Sequence, residues 1–389
     1  MVKRIVIISL FLAFAFTSGA QDSTYVNSFK TYRVGFFAPV YLDSVFTGTY
    51  YRYGKNFPKF SFPGLEFFQG AQVALDSMLV YRANIEARFY DTRSVHFESP
   101  LNGTAFDSLD LLIASVREPD FSVLAAFAKK KNIPFISATY PNDGGITDNP
   151  FLVIMNSTLR AHCEAIYSYI LQAHSMDNII LATTAGSQEE KVAAYLKESN
   201  QPDGNTLLKY TTVKFENDFN IIKSSLDSTR NNVIIGGSLD EIFANEIARS
   251  CASLAKTYKI KLIGMPNWDG YFNKPNPKLK DFPIYFTTPF YNGNEDNYSL
   301  MLTEVYKEKY KISPSDLAFK GFEAVYLFVK LLAKHPHDFI SHLNDYPHKV
   351  FADYNFKPVF LGEGTTPDYF ENKHLYILKM ENGVVTDSF

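Results

Sequence analysis

The residues that could support catalysis are few, and their spacing predicts no catalytic constellation. The eight histidines show no spacing typical of a zinc site, and His335-Pro336-His337 is the nearest approach to a cluster. There is no Gly-x-Ser-x-Gly nucleophile turn, and the glycines at 236–237 and 361–364 lack the features of phosphate-binding loops. The sequence therefore predicts no catalytic residue, no metal site and no cofactor.

The chain has two cysteines, Cys163 and Cys251. A count of two excludes a scaffold held together by several disulfides. Both fall in segments with helical periodicity, so we interpret them as buried thiols, with a single bridge between them as the alternative.

Small and hydroxyl residues at the ends of predicted strands favour binding chemistry. Ligands of open α/β sheets collect outside the carboxyl ends of the strands, where small residues admit the ligand and hydroxyl and N–H groups bind it. Strand ends and their flanking residues predict these ligand contacts: Tyr41, Ser115, Arg117, Ser137, Thr139, Tyr140, Ser187, Ser238, Asn267 and Trp268.

Each of these residues also has a structural interpretation. Ser, Thr and Gly are ordinary residues of helix caps and turns. Arg117 could bind a ligand carboxylate through two parallel hydrogen bonds, or it could pair with Glu118 or Asp120. Trp268, the only tryptophan, could line a cleft or cap the core of the second half.

The elements that position these strand ends alternate between short apolar runs and helix-period segments. This alternation predicts parallel sheets with helices on both faces, and it starts again after residue 158, so two α/β halves lie in tandem. The predicted strands are 32–40, 85–90, 109–114, 133–137, 178–183, 207–213, 232–235, 260–264 and 283–288, with hairpin-like segments at 355–360 and 374–380. The predicted helices are 64–78, 121–131, 158–174, 189–198, 218–226, 239–258, 295–310 and 315–334.

The N-terminus predicts export. Lys3 and Arg4 precede an apolar run at 5–16, and Ser18-Gly19-Ala20 suits a signal peptidase, so residues 1–20 are typical of a cleavable signal peptide. The run is shorter than the ~20 residues of a membrane span, although a retained N-terminal anchor is the alternative. We expect a periplasmic protein without stable membrane insertion. The formal net charge of −3, without runs of like charge, favours no nucleic-acid partner.

The segment 109–158 (LDLLIASVREPDFSVLAAFAKKKNIPFISATYPNDGGITDNPFLVIMNST) resembles the first-lobe signature of type I periplasmic solute-binding proteins. More narrowly, it is similar to the branched-chain amino acid receptor group and its Bacteroidetes relatives. The runs NVIIGG and KLIGMPNW follow in family order, and FKGFEAVYLFVKLL is similar to the last first-lobe helix of the family. The resemblance implies two doubly wound α/β lobes joined by a hinge of three crossings.

The resemblance also predicts where the chain crosses between the lobes. The three crossings are expected near Met155–Ser157, Thr288–Phe290 and Lys334–His342. The N-terminal lobe would then comprise 21–157 and 289–335, and the C-terminal lobe 158–288 and 336–389.

The ligand residues of the family carry over unevenly. Glu118 matches a serine that binds the ligand carboxylate in amino-acid-binding relatives, and Thr139 matches a position that offers a backbone group. Pro141 stands where relatives usually have a threonine. Asn267 stands at about the position where relatives have an acid that binds the ligand ammonium. The loop 115–120 also lacks the family's glycine. The amino acid recognition set is largely absent, which implies a different ligand or a different way of holding it.

These patterns predict an exported protein that traps a small organic solute, an amino acid or a related compound, for ABC-type uptake with a possible ABC permease as partner. Thr139, Ser137 and Ser187 would orient the ligand, and Trp268, Tyr140 and Tyr41 would form apolar walls. One alternative is a sensing or protein-interaction module with the same clamp and no transport role. Another is an enzyme, for which Arg117, Glu118 and Asp240 are the titratable candidates.

Overall fold

Two sheets of seven strands each organise the molecule. The computed structural model describes residues 30–78, 84–97, 103–202, 204–216, 218–293, 296–345 and 350–388. The predicted signal peptide at 1–20 lies outside the described residues.

The strands are short and are distributed along the whole described chain. They are β1 (Tyr32–Ala38), β2 (Phe46–Thr47), β3 (Tyr50–Tyr51), β4 (Ile85–Asp91), β5 (Leu111–Ala114), β6 (Phe135–Ser137), β7 (Leu152–Ile154), β8 (Asn178–Thr183), β9 (Tyr210–Lys214), β10 (Asn232–Gly236), β11 (Ile260–Ile263), β12 (Ile284–Thr288), β13 (Phe356–Val359), β14 (Tyr369–Asn372), β15 (Tyr376–Glu381) and β16 (Val384–Asp387).

Helices connect most of these strands. They are α1 (Leu42–Val45), α2 (Phe62–Met78), α3 (Asp120–Lys131), α4 (Leu159–Ala173), α5 (Ser187–Asn200), α6 (Phe219–Ser225), α7 (Glu241–Leu254), α8 (Trp268–Phe272), α9 (Asn297–Tyr310) and α10 (Asp316–Lys334). Short 3-10 helices cover Lys59–Ser61, Pro277–Leu279 and Phe339–His342.

The two large sheets have the same topology in their first five strands and differ in the last two, since β14 lies parallel to β7 whereas β15 lies antiparallel to β12. The first runs β4-β1-β5-β6-β7-β14-β13, and the second runs β9-β8-β10-β11-β12-β15-β16. In both, the first five strands are parallel and follow the doubly wound order 2-1-3-4-5. An antiparallel pair then closes each sheet, β13–β14 in the first and β15–β16 in the second. The predicted fold class, two doubly wound α/β lobes, is confirmed.

The central strands are short apolar runs because helices cover both of their faces. Every residue of β5 and of β10 is buried. In the first lobe, α2, α9 and α10 pack on one face of the sheet and α3 packs on the other. In the second lobe, α4 to α8 enclose a single core cluster.

Two glycines allow α2 and α10 to pack in close contact. A Cβ atom on Gly70 would collide with the carbonyl oxygen of Ala318, and a Cβ atom on Gly321 would collide with that of Phe67. The apolar run predicted as 315–334 therefore forms a helix whose backbone touches that of α2.

The chain passes between the lobes after β7, after β12 and after β14. β7 belongs to the first sheet and α4 to the second core, whereas β12 belongs to the second sheet and α9 to the first core. The third crossing does not lie at Lys334–His342. β13 and β14 pair into the first sheet, so the crossing lies between Asn372 and Tyr376.

This placement corrects the predicted lobe boundary at residue 336. Phe339, Leu343, Val350 and Phe351 pack into the core of the first lobe because α10 offers them an apolar surface. Residues 336–345 and 350–372 therefore belong with the first lobe, and β15 and β16 complete the second sheet.

Among the described helices, none is both long and apolar enough to cross a bilayer.

Candidate functional site

A pair of hydroxyl groups lies at the carboxyl edge of the first sheet. Ser115 follows β5 and Thr139 follows β6, and their side-chain oxygens are 2.9 Å apart. The carbonyl oxygen of Thr139 accepts a hydrogen bond of 2.7 Å from Nδ2 of Asn156, which lies in the first crossing. The structure thus brings two predicted site residues together and bonds one of them to the first crossing.

Arg117, Glu118 and Tyr140 lie beside this hydroxyl pair. The Tyr140 ring packs on Phe121 with ring centroids 5.0 Å apart. Burial raises the pKa of Tyr140, Glu118 raises it further, and Arg117 opposes the shift, so both charged groups lie near the phenol. Glu118 accepts a hydrogen bond of 2.8 Å from the Ser122 hydroxyl.

Arg117 is exposed and forms no ion pair with a described residue. Of its two predicted partners, Asp120 pairs with Arg93 at 3.1 Å and Glu118 is bonded to Ser122. The guanidinium of Arg117 therefore keeps its donors available at this edge.

Tyr41 lies in a hydrogen-bonded turn, and Ser137 lies in the core of the first lobe. The backbone N–H groups of Val40, Tyr41 and Leu42 all donate to the carboxylate of Asp91, which shapes the turn after β1. Tyr41 has φ of 63° and its ring packs against Phe60 at 5.3 Å. Ser137 is buried in β6, as Ser115 is buried after β5, and its ligand contact stays a prediction.

Trp268 is a core residue and not a cleft wall. Its side chain is fully buried, and its indole Nε1 donates to the carbonyl oxygen of Ser238 at 2.9 Å. A Cβ atom on Gly236 or on Gly264 would collide with the indole ring. The glycines that end β10 and follow β11 therefore make room for Trp268, which explains the small residues without a ligand.

Ser238 and Asn267 are also bonded within the second lobe. Ser238 is buried and donates to Oε1 of Glu189 at 2.7 Å, and its ligand contact stays a prediction. Asn267 donates to the carbonyl oxygen of Leu239 and to the hydroxyl of Tyr271. Its Oδ1 atom is buried and has no hydrogen-bond partner among the described residues. Ser187 is the exposed first residue of α5.

Sequence reasoning missed two charged residues that lie near each other on different lobes. Asp269 lies in α8 of the second lobe, and its pKa is raised by burial and by Asp316, while Lys320 lowers it. Burial lowers the pKa of Lys320, in α10 of the first lobe, and Asp316 and Asp269 oppose that shift. The only available signals were a lysine near the start of the mostly apolar run FKGFEAVYLFVKLL and an acid directly after Trp268.

The first and third crossings are bonded to each other. Ser157 donates to the carbonyl oxygen of Asn372 at 2.6 Å, and the Thr158 N–H donates to Oε1 of Glu371 at 2.6 Å. Lys373 pairs with Glu371 at 2.7 Å and with Glu164 of α4 at 2.9 Å. Glu371 is fully buried, so a cation must accompany it.

Two grooves lie next to the crossings. One of about 850 Å³ runs along α4 and reaches Asp353, Lys357 and Tyr376. Another of about 460 Å³ lies between Phe290, Asp316 and Val385. Neither groove is lined by a predicted ligand residue, so the predicted site is a strand-edge surface outside both.

No protein-family model matches the chain, and no curated protein matches it. Solved structures do match. A protein of Rhodospirillum rubrum designated a branched-chain amino acid ABC transporter aligns with 13% identity and a TM-score of 0.67, over 92% of this chain and 100% of that one. The substrate-binding protein LivJ of Streptococcus pneumoniae, in complex with isoleucine, aligns with 17% identity and a TM-score of 0.50, over 92% and 98%. An ABC transporter substrate-binding protein of Desulfitobacterium hafniense, in complex with Leu, aligns with 13% identity and a TM-score of 0.56, over 92% and 100%.

At identities this low, the alignments show that the folds are similar and do not indicate which ligand this chain binds. The alignments span nearly the whole of both chains, so they include both lobes and the crossings. The resemblance seen in the sequence is thereby confirmed at the level of architecture. This chain has the fold of the type I periplasmic binding proteins.

Proposed function

We propose that this protein is a solute-binding protein that captures a small organic molecule between its two lobes. The observation that carries the proposal is the pair of doubly wound sheets, whose first five strands have the same topology, joined by three crossings. Ligands of such sheets bind outside the carboxyl ends of the strands, at the point where the strand order reverses. In the first sheet that point lies between β1 and β5, next to Ser115.

The polar groups near the cleft suit a small zwitterion or carboxylate. The Ser115 and Thr139 hydroxyls share one hydrogen bond of 2.9 Å, so one of the two keeps its proton to donate to a ligand oxygen. The guanidinium of Arg117 can bind a carboxylate through two hydrogen bonds. Asp269 and Lys320 supply one negative and one positive charge from opposite lobes. We therefore propose an amino acid or a related solute as the ligand class, which the isoleucine and leucine complexes of similar structures support.

Binding would proceed by hinge closure, the mode that two-lobed receptors of this kind use. The hydrogen bonds among Ser157, Asn372 and Glu371 hold two of the crossings together, so the lobes would rotate about that joint. Asn156 would couple lobe closure to ligand binding because its side chain donates a hydrogen bond to the carbonyl oxygen of Thr139.

The location and partner follow from the N-terminal sequence and the fold. Residues 1–20 have the pattern of a cleavable signal, so we propose a periplasmic protein that delivers its solute to an ABC permease. We propose that it performs no chemistry. Asp240 caps α7 and Glu118 bonds Ser122, so two of the three titratable candidates already have structural roles.

Ligand titration of site variants tests the assignment. After a first ligand is found, Thr139→Ala and Asp269→Asn should each weaken its binding about ten- to hundred-fold, the loss expected for a hydrogen bond to a charged group. Thr211→Ala, at an exposed position within β9, is the matched control and should keep the native affinity. Unchanged affinity in both site variants would show that the cleft is not the binding site.

A further inference from the structure

A cluster of two histidines and one aspartate lies where α10 ends. His335 directly follows α10, and a turn brings Asp338 and His342 back beside it. One ligand atom from each of the three side chains lies within 4.8 Å of the others. His335 and His342 are seven residues apart, so the sequence pattern, in which His337 is the nearest histidine to His335, did not predict that they lie together.

The carboxylate of Asp338 lies between the two rings. Its Oδ2 atom is 2.7 Å from Nε2 of His342, and its Oδ1 atom is 3.7 Å from Nδ1 of His335. The rings are stacked with centroids 3.7 Å apart and planes 13° apart.

Two further contacts resemble those of protein metal sites. Nδ1 of His342 is 2.6 Å from Oδ2 of Asp345, and such a carboxylate orients the ring when the other nitrogen binds a metal. Nε2 of His335 is buried and has no hydrogen-bond partner among the described residues. The hydrogen-bonding capacity of the His335 ring is therefore not fully used by the described protein groups.

The backbone around the cluster is fixed on the core. Phe339 is buried and packs against Phe328 of α10 with ring centroids 6.1 Å apart, and Leu343 is buried in the same core. The carboxyl end of α10 also favours positive charge because unpaired carbonyl groups accumulate there. To hold an ion, the two rings would have to rotate out of their stack so that the three ligand atoms reach the ~2.0–2.2 Å metal distances of nitrogen and oxygen ligands.

We propose that His335, Asp338 and His342 form a binding site for a divalent transition metal ion of the zinc type. Two imidazoles and a carboxylate are ligands that zinc, cobalt, nickel and copper accept, and water would complete the coordination. The site belongs to the first lobe alone and does not depend on the proposed solute-binding function.

Metal titration of the protein without residues 1–20 and without an affinity tag tests the proposal. The chelator-treated protein should bind one Zn²⁺ per chain in calorimetry, and Co²⁺ should give a visible absorption that Zn²⁺ abolishes. His335→Ala and His342→Ala should each weaken Zn²⁺ binding at least tenfold. Asp345→Asn should weaken it about ten- to hundred-fold, as for other carboxylates that orient a metal-bound histidine.

The control is His337→Ala, an exposed histidine two residues from His335. It should bind Zn²⁺ as the native protein does. His342→Gln provides a second variant if His342→Ala does not fold, and it should lose the same affinity while circular dichroism reports a folded chain. No saturable Zn²⁺ binding, or equal losses in His337→Ala and the cluster variants, would overturn the proposal.

Discussion

The indole of Trp268 occupies the space that Gly236 and Gly264 leave open at the carboxyl edge of the second sheet. The same edge in the first sheet keeps two hydroxyls, Ser115 and Thr139, within hydrogen-bond distance of each other. At the scale of residues, the two lobes therefore use similar strand ends differently. The second-lobe ends stabilise the core, and the first-lobe ends carry the polar groups that we assign to ligand binding.

Trp268→Ala should lower the free energy of unfolding by about 3–5 kcal/mol, the usual cost of emptying a large buried aromatic site. Urea denaturation measures the change. Tyr50→Ala, at a residue that is 74% exposed, should change it by less than about 0.5 kcal/mol. A Trp268→Ala variant as stable as the native protein would contradict the core assignment.

His162 predicts a pH dependence of stability. Its ring is buried, bonded to Thr287 at 2.7 Å, and burial lowers its pKa to about 3. Between pH 6.5 and pH 3 the unfolded chain binds this proton and the folded chain does not, so stability falls as the pH falls. The contribution approaches about 1.4 kcal/mol per pH unit.

Urea unfolding of the native protein and of His162→Gln, at pH 7 and pH 5, measures that contribution. The native protein should lose more stability than the variant over this interval. His337→Gln, at an exposed histidine, should behave as the native protein does. Equal losses in all three proteins would mean that His162 does not carry the effect.

At the scale of elements, strand and helix positions were largely predictable because burial imposes an apolar run or a helical period. The helix predicted at 315–334 is observed as Asp316–Lys334, and the strand predicted at 109–114 as Leu111–Ala114. The strand partners near the C-terminus were not predictable. β14 and β15 are separated by three residues yet belong to different sheets, and that choice depends on long-range packing against α10 and β12.

The site was predictable only in part, for a related reason. A sequence shows that Gly236, Gly264 and Ser238 end strands, but it does not show whether an indole or a ligand fills the space beside them. Asp269 and Lys320 are 51 residues apart in the chain, so only the fold brings them near each other.

The contact of α2 with α10 carries a prediction at this scale. Gly70→Ala should lower the free energy of unfolding by about 1–3 kcal/mol or more, because the added methyl group meets the Ala318 carbonyl and the two backbones must separate. Thermal or urea unfolding measures the loss. Gly270→Ala is the matched helical control, since no atom lies within 4 Å of its added Cβ, and it should be neutral or slightly stabilising. A neutral Gly70→Ala would show that the helices tolerate a wider spacing.

At the scale of the whole molecule, Lys373 connects the two lobes at the third crossing. It lies 2.7 Å from the fully buried Glu371 of the first lobe and 2.9 Å from Glu164 of the second. Lys373→Met would leave Glu371 buried without its cation, so we expect a loss of about 3–5 kcal/mol in unfolding free energy.

The control for that variant is Lys379→Met, which removes the ion pair of Lys379 with Glu381 on the partly exposed surface of β15. Such a pair contributes about 1 kcal/mol or less. Similar stabilities of the two variants, compared by urea denaturation, would argue against a structural role for the Lys373 pair.

The central claim is that the two lobes bind a small solute, and a thermal-shift screen of residues 21–389 tests it most directly. The panel would contain amino acids, short peptides, sugars, nucleosides and small carboxylates, added to protein that has been freed of carried-over ligand. A solute at 100 times its dissociation constant adds about 2.7 kcal/mol to stability, so the account predicts a clear rise in the unfolding midpoint with an amino acid or a related compound. A folded protein whose midpoint is unchanged by every class in the panel would contradict the account.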